Sequence, residues 1–490
     1  MTSSKTLTLK PKVKSAEPQS GVREKPRTRI GARARQVAQL ALSKEKQARS
    51  NLTDIDASHV YERPKSNRQD DRSRDDKHQR RVRKVEHKTS SHKLLNERHE
   101  RRPPVIQEIE IFSAFAPCPM GLEHALLAEL EALGFEQVKA GRGGCHFECD
   151  WWGVQRANLY SRLATRILVQ LGQAPVSRED DILELAHSIA WERWFGAEHT
   201  LRVDTSAIRS PMQSLQYCNL RAKDGICDRL RELEGERPSI DTVRPDARVH
   251  QFLSEDTATL YLDTSGESLF KRGWRFDKGE APLRENLAAG ILALAGWDPA
   301  GALLDPFCGS GTVLIEAAWI ALGVPPGMTR PFGFERLRGH NARGWEDLKA
   351  EAQENILPEL ESPLVGIDAD PTVIEAAKRN AERAFLTDET IQFEVGDARD
   401  AVAPAPTGWI VTNPPYGDRM EEQDLEFWRE WSANLKQEFS GWQVSVITSD
   451  HDLPKHMRLK PKSRIPLFNG SLDCRLFNFD LVSSSYRGNN

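Results

Sequence analysis

The stretch Leu303-Leu304-Asp305-Pro306-Phe307-Cys308-Gly309-Ser310-Gly311-Thr312 decides how the rest of the chain is read. An apolar run ends in an acid, a turn with two glycines follows, and Val313–Ala321 continues at once as an apolar, helix-forming segment. Gly309 and Gly311 let a backbone approach a ligand that any side chain would hold off. The turn lacks the third glycine of the dinucleotide fingerprint, and it lacks the lysine before Thr312 that a P-loop requires. Alone, it is compatible with an ordinary strand–helix connection.

Two further segments repeat the pattern downstream. Leu364–Ile367 runs into Asp368, where a carboxylate can accept hydrogen bonds from ribose hydroxyls. Ile391–Val395 runs into Gly396-Asp397, with Asp397 placed for an adenine amino group. Asp370-Pro371 supplies a helix cap and first-turn proline. With Ala302–Leu304, Trp409–Thr412 and Val444–Thr448, these short apolar runs separated by helical segments predict buried parallel strands. Asn469-Gly470 marks the turn of a closing hairpin. The fold class is therefore α/β, a Rossmann-like doubly wound sheet with an antiparallel edge. Asp305 and Asp368 are 63 residues apart, against roughly 20 in a simple dinucleotide fold. The segment Gly323–Glu361, with Phe332, Phe334 and Trp345, must elaborate the first crossover.

The fourth strand carries the chemistry. It leads into Asn413-Pro414-Pro415-Tyr416. The Asn413 side-chain oxygen and the Pro414 carbonyl can accept both N–H bonds of a planar amino group and aim its lone pair at an electrophilic methyl. The prolines hold these acceptors preorganised, and Tyr416 offers a face for a base. No strong base is needed, because the nitrogen loses its proton after the methyl arrives.

Outward from this core, the composition breaks. Residues 1–104 carry a net charge of +15 and residues 105–490 one of −19, within an overall −4. The basic segment has too little apolar surface to offset ordering entropy and reads as a disordered tail, with helical tendency near Arg33–Ser50 and Arg80–His99. It serves either solubility or RNA tethering. No apolar run reaches membrane-spanning length, and no secretory signal is present. The seven scattered cysteines suit reduced thiols in the cytoplasm, and Cys145 and Cys149 lack a second ligand pair, so no metal is expected. An α+β module occupies about 105–265: a strand with Ile109, Ile111 and Phe115, then a helix with Leu122, Leu126, Leu130 and Leu133 ending at Gly134. The joint Lys271–Glu285 interleaves cations with Trp274 and Phe276, a composition suited either to phosphate contact and base stacking or to a linker whose aromatics pack down on a neighbouring domain.

The segments KRGWR (271–275), APLRENLAAGIL (281–292), DPFCGSGT (305–312), GIDAD (366–370), NPPYGDR (413–419) and LFNGSLDCRLF (467–477) together resemble the bacterial THUMP-domain class I methyltransferases acting on guanine N2 of large-subunit (23S) rRNA, in a single-methyltransferase form. That resemblance implies a disordered tail (1–104), a ferredoxin-like subdomain (105–160), a THUMP RNA-binding domain (161–265), a linker (266–282) and a methyltransferase domain (283–490). It implies S-adenosyl-L-methionine as cofactor, contacted by Asp305, Pro306, Phe307, Gly309, Gly311, Thr312, Asp368 and Asp397, with Arg284 and Asn286 beside its methionine end. Asn413, Pro414, Pro415 and Tyr416 would receive the target guanine. Lys271, Arg272, Trp274 and Arg275 would contact RNA. The partner would be 23S rRNA or a pre-ribosomal particle, with no membrane and no metal. A tRNA guanine-N2 methyltransferase and a non-catalytic RNA-binding assembly factor are the alternatives.

Overall fold

The computed structural model describes residues 109–277, 283–415 and 422–482. The basic segment with its two helical stretches, Tyr416 and the end of the expected linker lie outside these residues.

The N-terminal part builds one continuous eight-stranded sheet. Its strands are β1 (Phe112–Pro117), β2 (Lys139–Gly141), β3 (Gly144–Cys149), β4 (Leu168–Pro175), β5 (Thr200–Ile208), β6 (Ser239–Ile240), β7 (Ala247–Ser254) and β8 (Thr257–Asp263). They lie in the order β2-β3-β1-β4-β8-β7-β5-β6. Helices α1 (Glu123–Ala132), α2 (Trp151–Tyr160), α3 (Glu179–Ser188) and α4 (Leu215–Glu234) accompany it. Helix α1 buries Leu126 and Leu130 as its spacing predicts. The first strand begins later than Ile109, which is exposed along with Ile111. On β1 it is Ala114 and Ala116 that face the core; close packing selects small side chains there, and hydropathy alone points to the wrong face.

The C-terminal part follows the expected strands closely: β9 (Ala302–Asp305), β10 (Leu364–Asp368), β11 (Gln392–Val395), β12 (Gly408–Thr412), β13 (Gln443–Thr448), β14 (Ser463–Asn469) and β15 (Leu472–Asp480). The order is β11-β10-β9-β12-β13-β15-β14. The first five strands are mutually parallel, and β15 inserts antiparallel beside β13. The chain runs outward from β9 to β11 and then crosses back to β12, so the switch point lies between β9 and β12, where ligands bind in open α/β sheets. The helices are α5 (Glu285–Ala295), α6 (Thr312–Ala321), α7 (Ala342–Glu354), α8 (Pro371–Arg383), α9 (Glu422–Glu438) and α10 (Leu453–His456). Asp370 caps α8 by accepting from the Thr372 N–H at 2.8 Å. Among the described residues, no helix is long and apolar enough to cross a membrane, and no cluster of three His, Cys, Asp or Glu side chains could hold a metal.

The expected linker is an interior strap. Side chains alternate along it: Lys271, Gly273 and Phe276 face outward, while Arg272 and Trp274 are buried. The Arg272 guanidinium donates to Glu316 at 3.1 and 3.3 Å, to the Leu269 carbonyl and to the Arg162 carbonyl, both at 2.7 Å. Glu316 is the lone charge in the apolar helix α6, and both partners are 0% exposed. The crossover elaboration completes the docking. The Phe334 N–H donates to the Thr264 carbonyl at 2.9 Å, and Arg330 donates to the carbonyls of Ser265, Glu267 and Ser268. Phe332 and Phe334 stack with centroids 5.3 Å apart, and Trp345 meets both edge-on.

Removing one partner of a buried pair strands the other charge in a low dielectric. Glu316→Ala should therefore lower stability by about 3–5 kcal/mol in chemical denaturation. A loss below about 1 kcal/mol, the range of exposed pairs, would mean that the strap does not depend on this contact.

Candidate active site

The site is assembled at the carboxyl ends of β9, β10 and β12. Parallel pairing sets Leu304 beside both Val365 and Ile410, so Asp305, Asp368 and Thr412 leave the sheet on one edge. The Thr412 hydroxyl donates to the Asp305 carboxylate at 2.6 Å, and the Phe307 N–H donates to the same oxygen at 3.2 Å. Asp305 is 1% exposed. Burial, reinforced by the neighbouring negative Asp368, pushes its pKa up to about 7 against the pull of those two hydrogen bonds.

The glycine turn is held from the adjacent strand. Asp368 accepts from the Gly309 N–H at 3.0 Å with one oxygen and from the Asp370 N–H at 3.1 Å with the other. The Cys308 N–H donates to the Ile367 carbonyl at 3.0 Å. Both glycines have positive φ, +54° at Gly309 and +81° at Gly311. Their surroundings differ. A Cβ at Gly309 would meet no protein atom within 4 Å, whereas one at Gly311 would approach Phe393 to 3.0 Å and Ala377 to 3.2 Å. Gly309 thus leaves backbone accessible to a ligand, and Gly311 permits the close approach of α6, α8 and β11. Thr312 opens α6 and is buried, as is Pro306. Phe307 packs edge-on against Trp431, with centroids 5.2 Å apart, and so anchors the turn to α9. The Cys308 thiol is buried and its pKa raised well above the usual value, which leaves it unreactive.

Asn413 follows Thr412 into the same crevice. Its side-chain oxygen is buried and has no hydrogen-bond partner among the described residues. Pro414 is buried and Pro415 exposed. Asp397 lies at the end of β11, but its carboxylate is held by Arg399, which accounts for its lowered pKa; Arg399 in turn reaches Glu430 at 2.6 Å. Arg284 and Asn286 open α5 and make their contacts away from the turn residues. The Arg284 guanidinium lies 5.0 Å from the Phe270 ring centroid, and the Asn286 amide donates to the Leu163 carbonyl and the Thr165 hydroxyl, both at 3.3 Å.

Of the expected RNA contacts of the strap, two need correction. Arg272 and Trp274 are interior: the first is consumed by Glu316 and two carbonyls, and the second packs edge-on against Trp319 at 6.4 Å. Arg275 pairs with buried Glu285 at 3.0 Å. Lys271 is exposed but paired with Glu267. Interleaved cations and aromatics have the same composition whether they face a phosphate or a protein interior. Phe276 is the ring left outside, 73% exposed, with the Arg383 guanidinium 5.3 Å from its centroid.

Sequence reasoning missed Thr412, Glu316 and Asn380. Asn380 is fully buried; its amide donates to the Asp277 carbonyl at 3.0 Å and the Ser310 carbonyl at 3.1 Å, and its oxygen accepts from the Asp277 N–H. It latches the strap to the glycine turn. The available signal was a polar residue on the apolar face formed by Ile374, Ala377 and Ala381 of α8, just as Glu316 interrupts an apolar helix.

The raised pKa of Asp305 carries a sign. The stabilising contribution of its protonated form is complete below the unfolded value near 4 and is lost as pH rises through about 7. In the ligand-free chain, Asp305→Asn should match the wild type in urea unfolding at pH 4 and exceed it at pH 8. Equal stability at both pH values would contradict the buried-carboxyl reading.

Comparison with known proteins agrees with this architecture. Family models match at residues 113–168 (RlmL ferredoxin-like domain), 176–263 (THUMP domain) and 272–478 (RMKL-like, methyltransferase domain). The chain is 40% identical over 387 residues to a protein of Syntrophotalea carbinolica named ribosomal RNA large subunit methyltransferase K/L, covering 76% of this chain and 54% of that protein. The Pseudomonas aeruginosa protein of the same name is 38% identical over 379 residues, covering 75% and 52%. The chain thus spans about half the length of the curated relatives it matches. Among solved structures, a possible methylase from Clostridium difficile 630 is 31% identical with a TM-score of 0.71, covering 76% of this chain and 98% of that one. SMU.472, solved in complex with SAH, is 26% identical with a TM-score of 0.70, covering 76% and 98%. A protein of Listeria monocytogenes described as a predicted N6-adenine-specific DNA methylase is 30% identical with a TM-score of 0.70, covering 77% and 98%. With ferredoxin-like, THUMP and RMKL-like units in this order, and with nearly the whole of such solved relatives covered, the chain belongs to the family of THUMP-domain class I methyltransferases.

Proposed function

We propose that this chain transfers a methyl group from S-adenosyl-L-methionine to the exocyclic N2 amine of a guanine in 23S rRNA, met in the cytoplasm as free rRNA or within a pre-ribosomal particle. The observation that carries the reading is the Asn413 side-chain oxygen, buried and without a partner among the described residues, one residue beyond the Thr412 hydroxyl that bonds to Asp305. Leaving such an acceptor unsatisfied costs about 1–3 kcal/mol, a cost that a bound N–H donor removes.

The residues present fit the cofactor. Gly309 offers bare backbone, Asp368 and Asp305 are polar groups on the same crevice edge, and SAH, the demethylated form of S-adenosylmethionine, is bound by the relative SMU.472. When bound, the sulfonium supplies an electrophilic methyl. The chain's own part is alignment. Asn413 and the Pro414 carbonyl accept the two N–H bonds of the amine and oppose its conjugation with the ring. Tyr416 takes the base face. Orientation of this kind can lower a barrier by roughly 7–11 kcal/mol, and flipping the base out of a structured RNA costs a few kcal/mol. The names of the K/L relatives favour large-subunit rRNA over DNA or tRNA.

Asn413→Ala should retain binding of S-adenosylmethionine and RNA while transfer falls roughly 100- to 1,000-fold, the cost of losing one preorganised polar contact. Incubation with labelled S-adenosylmethionine and total undermodified RNA should yield labelled N2-methylguanosine in 23S rRNA. Undiminished transfer by the variant, or label confined to tRNA or to adenine, would refute the assignment.

A further inference from the structure

A pocket of about 460 Å³ lies between the THUMP-matching and methyltransferase-matching parts of the chain. Arg244 and Arg248 reach it from the N-terminal sheet, Lys271 from the strap, and Arg336 from the crossover elaboration. Its acids are already engaged. Asp263 accepts from Arg166, from His250 at 3.1 Å and from the backbone N–H groups of Ser265 and Gly266. Asp246 accepts from the Thr200 N–H at 3.0 Å and hydroxyl at 2.8 Å, and Glu267 accepts from Lys271.

The arginines are not equally engaged. Arg248 makes no hydrogen bond to any described residue; its Nε is buried and unpartnered, and its nearest carboxylate, Asp204, is 3.7 Å away and already held in two-pronged contact by Arg202. The Arg248 side chain is only 13% exposed. Burial and the neighbouring Arg166 both press its pKa downward. Arg336 stands 3.6 Å from Asp246 and donates to the Pro245 carbonyl at 3.0 Å, and the exposed Arg244 side chain has no hydrogen-bonded partner among the described residues. A largely buried guanidinium that lines a cavity and makes no hydrogen bond to any described residue is suited to a tetrahedral oxyanion, which it can bind with charge-assisted hydrogen bonds.

We propose that this pocket is a phosphate-binding subsite for the RNA, with Arg248 as its central donor and Arg244 and Arg336 at its rim. The inference rests on the RNA-methyltransferase reading above and adds to it a place where RNA is gripped. Because the pocket is walled by both parts of the chain, a phosphate held there fixes the RNA relative to the catalytic crevice, positioning it without reading its sequence.

The test compares the full chain with Arg248→Gln and Arg248→Lys. In Arg248→Gln, RNA affinity should fall roughly tenfold and the slope of log affinity against log salt should flatten by about one unit. The kcat at saturating RNA and the affinity for S-adenosylmethionine should stay as in the wild type, and Tm should change little, since Arg248 makes no hydrogen bond to any described residue and its ion pair with Asp204 is long, at 3.7 Å. Arg248→Lys should recover part of the affinity. Inorganic phosphate should compete with RNA for the wild type and much less for Arg248→Gln. An effect seen only with end-phosphorylated oligonucleotides assigns the site to a terminal phosphate; an equal effect on unphosphorylated ones assigns it to the backbone. Unchanged affinity and salt slope in Arg248→Gln, with methyl transfer intact, would overturn the subsite alone. Arg248-dependent binding by a chain that transfers no methyl would overturn the methyl-transfer reading and leave the subsite standing.

Discussion

The Arg272 guanidinium and the Glu316 carboxylate meet where neither is reached by solvent. Two charges so placed are tolerable only if every donor and acceptor finds a partner. That requirement ties together three parts of the chain: the strap, whose own Leu269 carbonyl also accepts, the loop after α2 through the Arg162 carbonyl, and the helix that begins at the glycine turn. Arg162 extends the cluster by donating to the Trp319 carbonyl at 3.1 Å. The axis of α6, and with it the turn from Asp305 to Thr312, is consequently referenced to the N-terminal sheet. An RNA bound there, as proposed, would thereby be registered against the turn.

At the other end of α6, the constraint is backbone satisfaction. A tight turn exposes N–H groups that must be paired or given to a ligand. Asp368 takes the Gly309 N–H, the Ile367 carbonyl takes that of Cys308, and Asn380 caps the Ser310 carbonyl. Among the described residues, the Asn413 oxygen has no such partner. The crevice is rigid where it frames a ligand and unsatisfied where chemistry would occur, the pattern expected of electrostatic preorganisation.

The parallel strands were legible because buried strands of this type are short apolar runs that end in turn residues. β9, β10, β12 and β13 coincide with their expected limits to within about one residue, the margin of boundary assignment. The cap at Asp370 was legible for the same local reason. Less legible was the N-terminal part, where hydropathy pointed to Ile109 and Ile111 while packing chose Ala114 and Ala116. Asp397 shows the same limit at the site: its strand-end position was clear, but its ion pair with Arg399 and the link onward to Glu430 join α9 to the loop after β11.

The sequence by itself determined the order of strands and helices, the glycine turn, the strand-end acids and the Asn-Pro-Pro segment, because each depends on dihedral freedom, periodicity or residue chemistry within a few positions. Only the tertiary structure decided that Arg272 and Trp274 are core, that Thr412 bonds to Asp305, that Asn380 latches the turn, and that Arg248 makes no hydrogen bond to any described residue. Whether a cation meets a carboxylate, a carbonyl or a cavity depends on residues tens to hundreds of positions away. That proximity is set by how the helices and the crossover elaboration pack, and no local pattern encodes it.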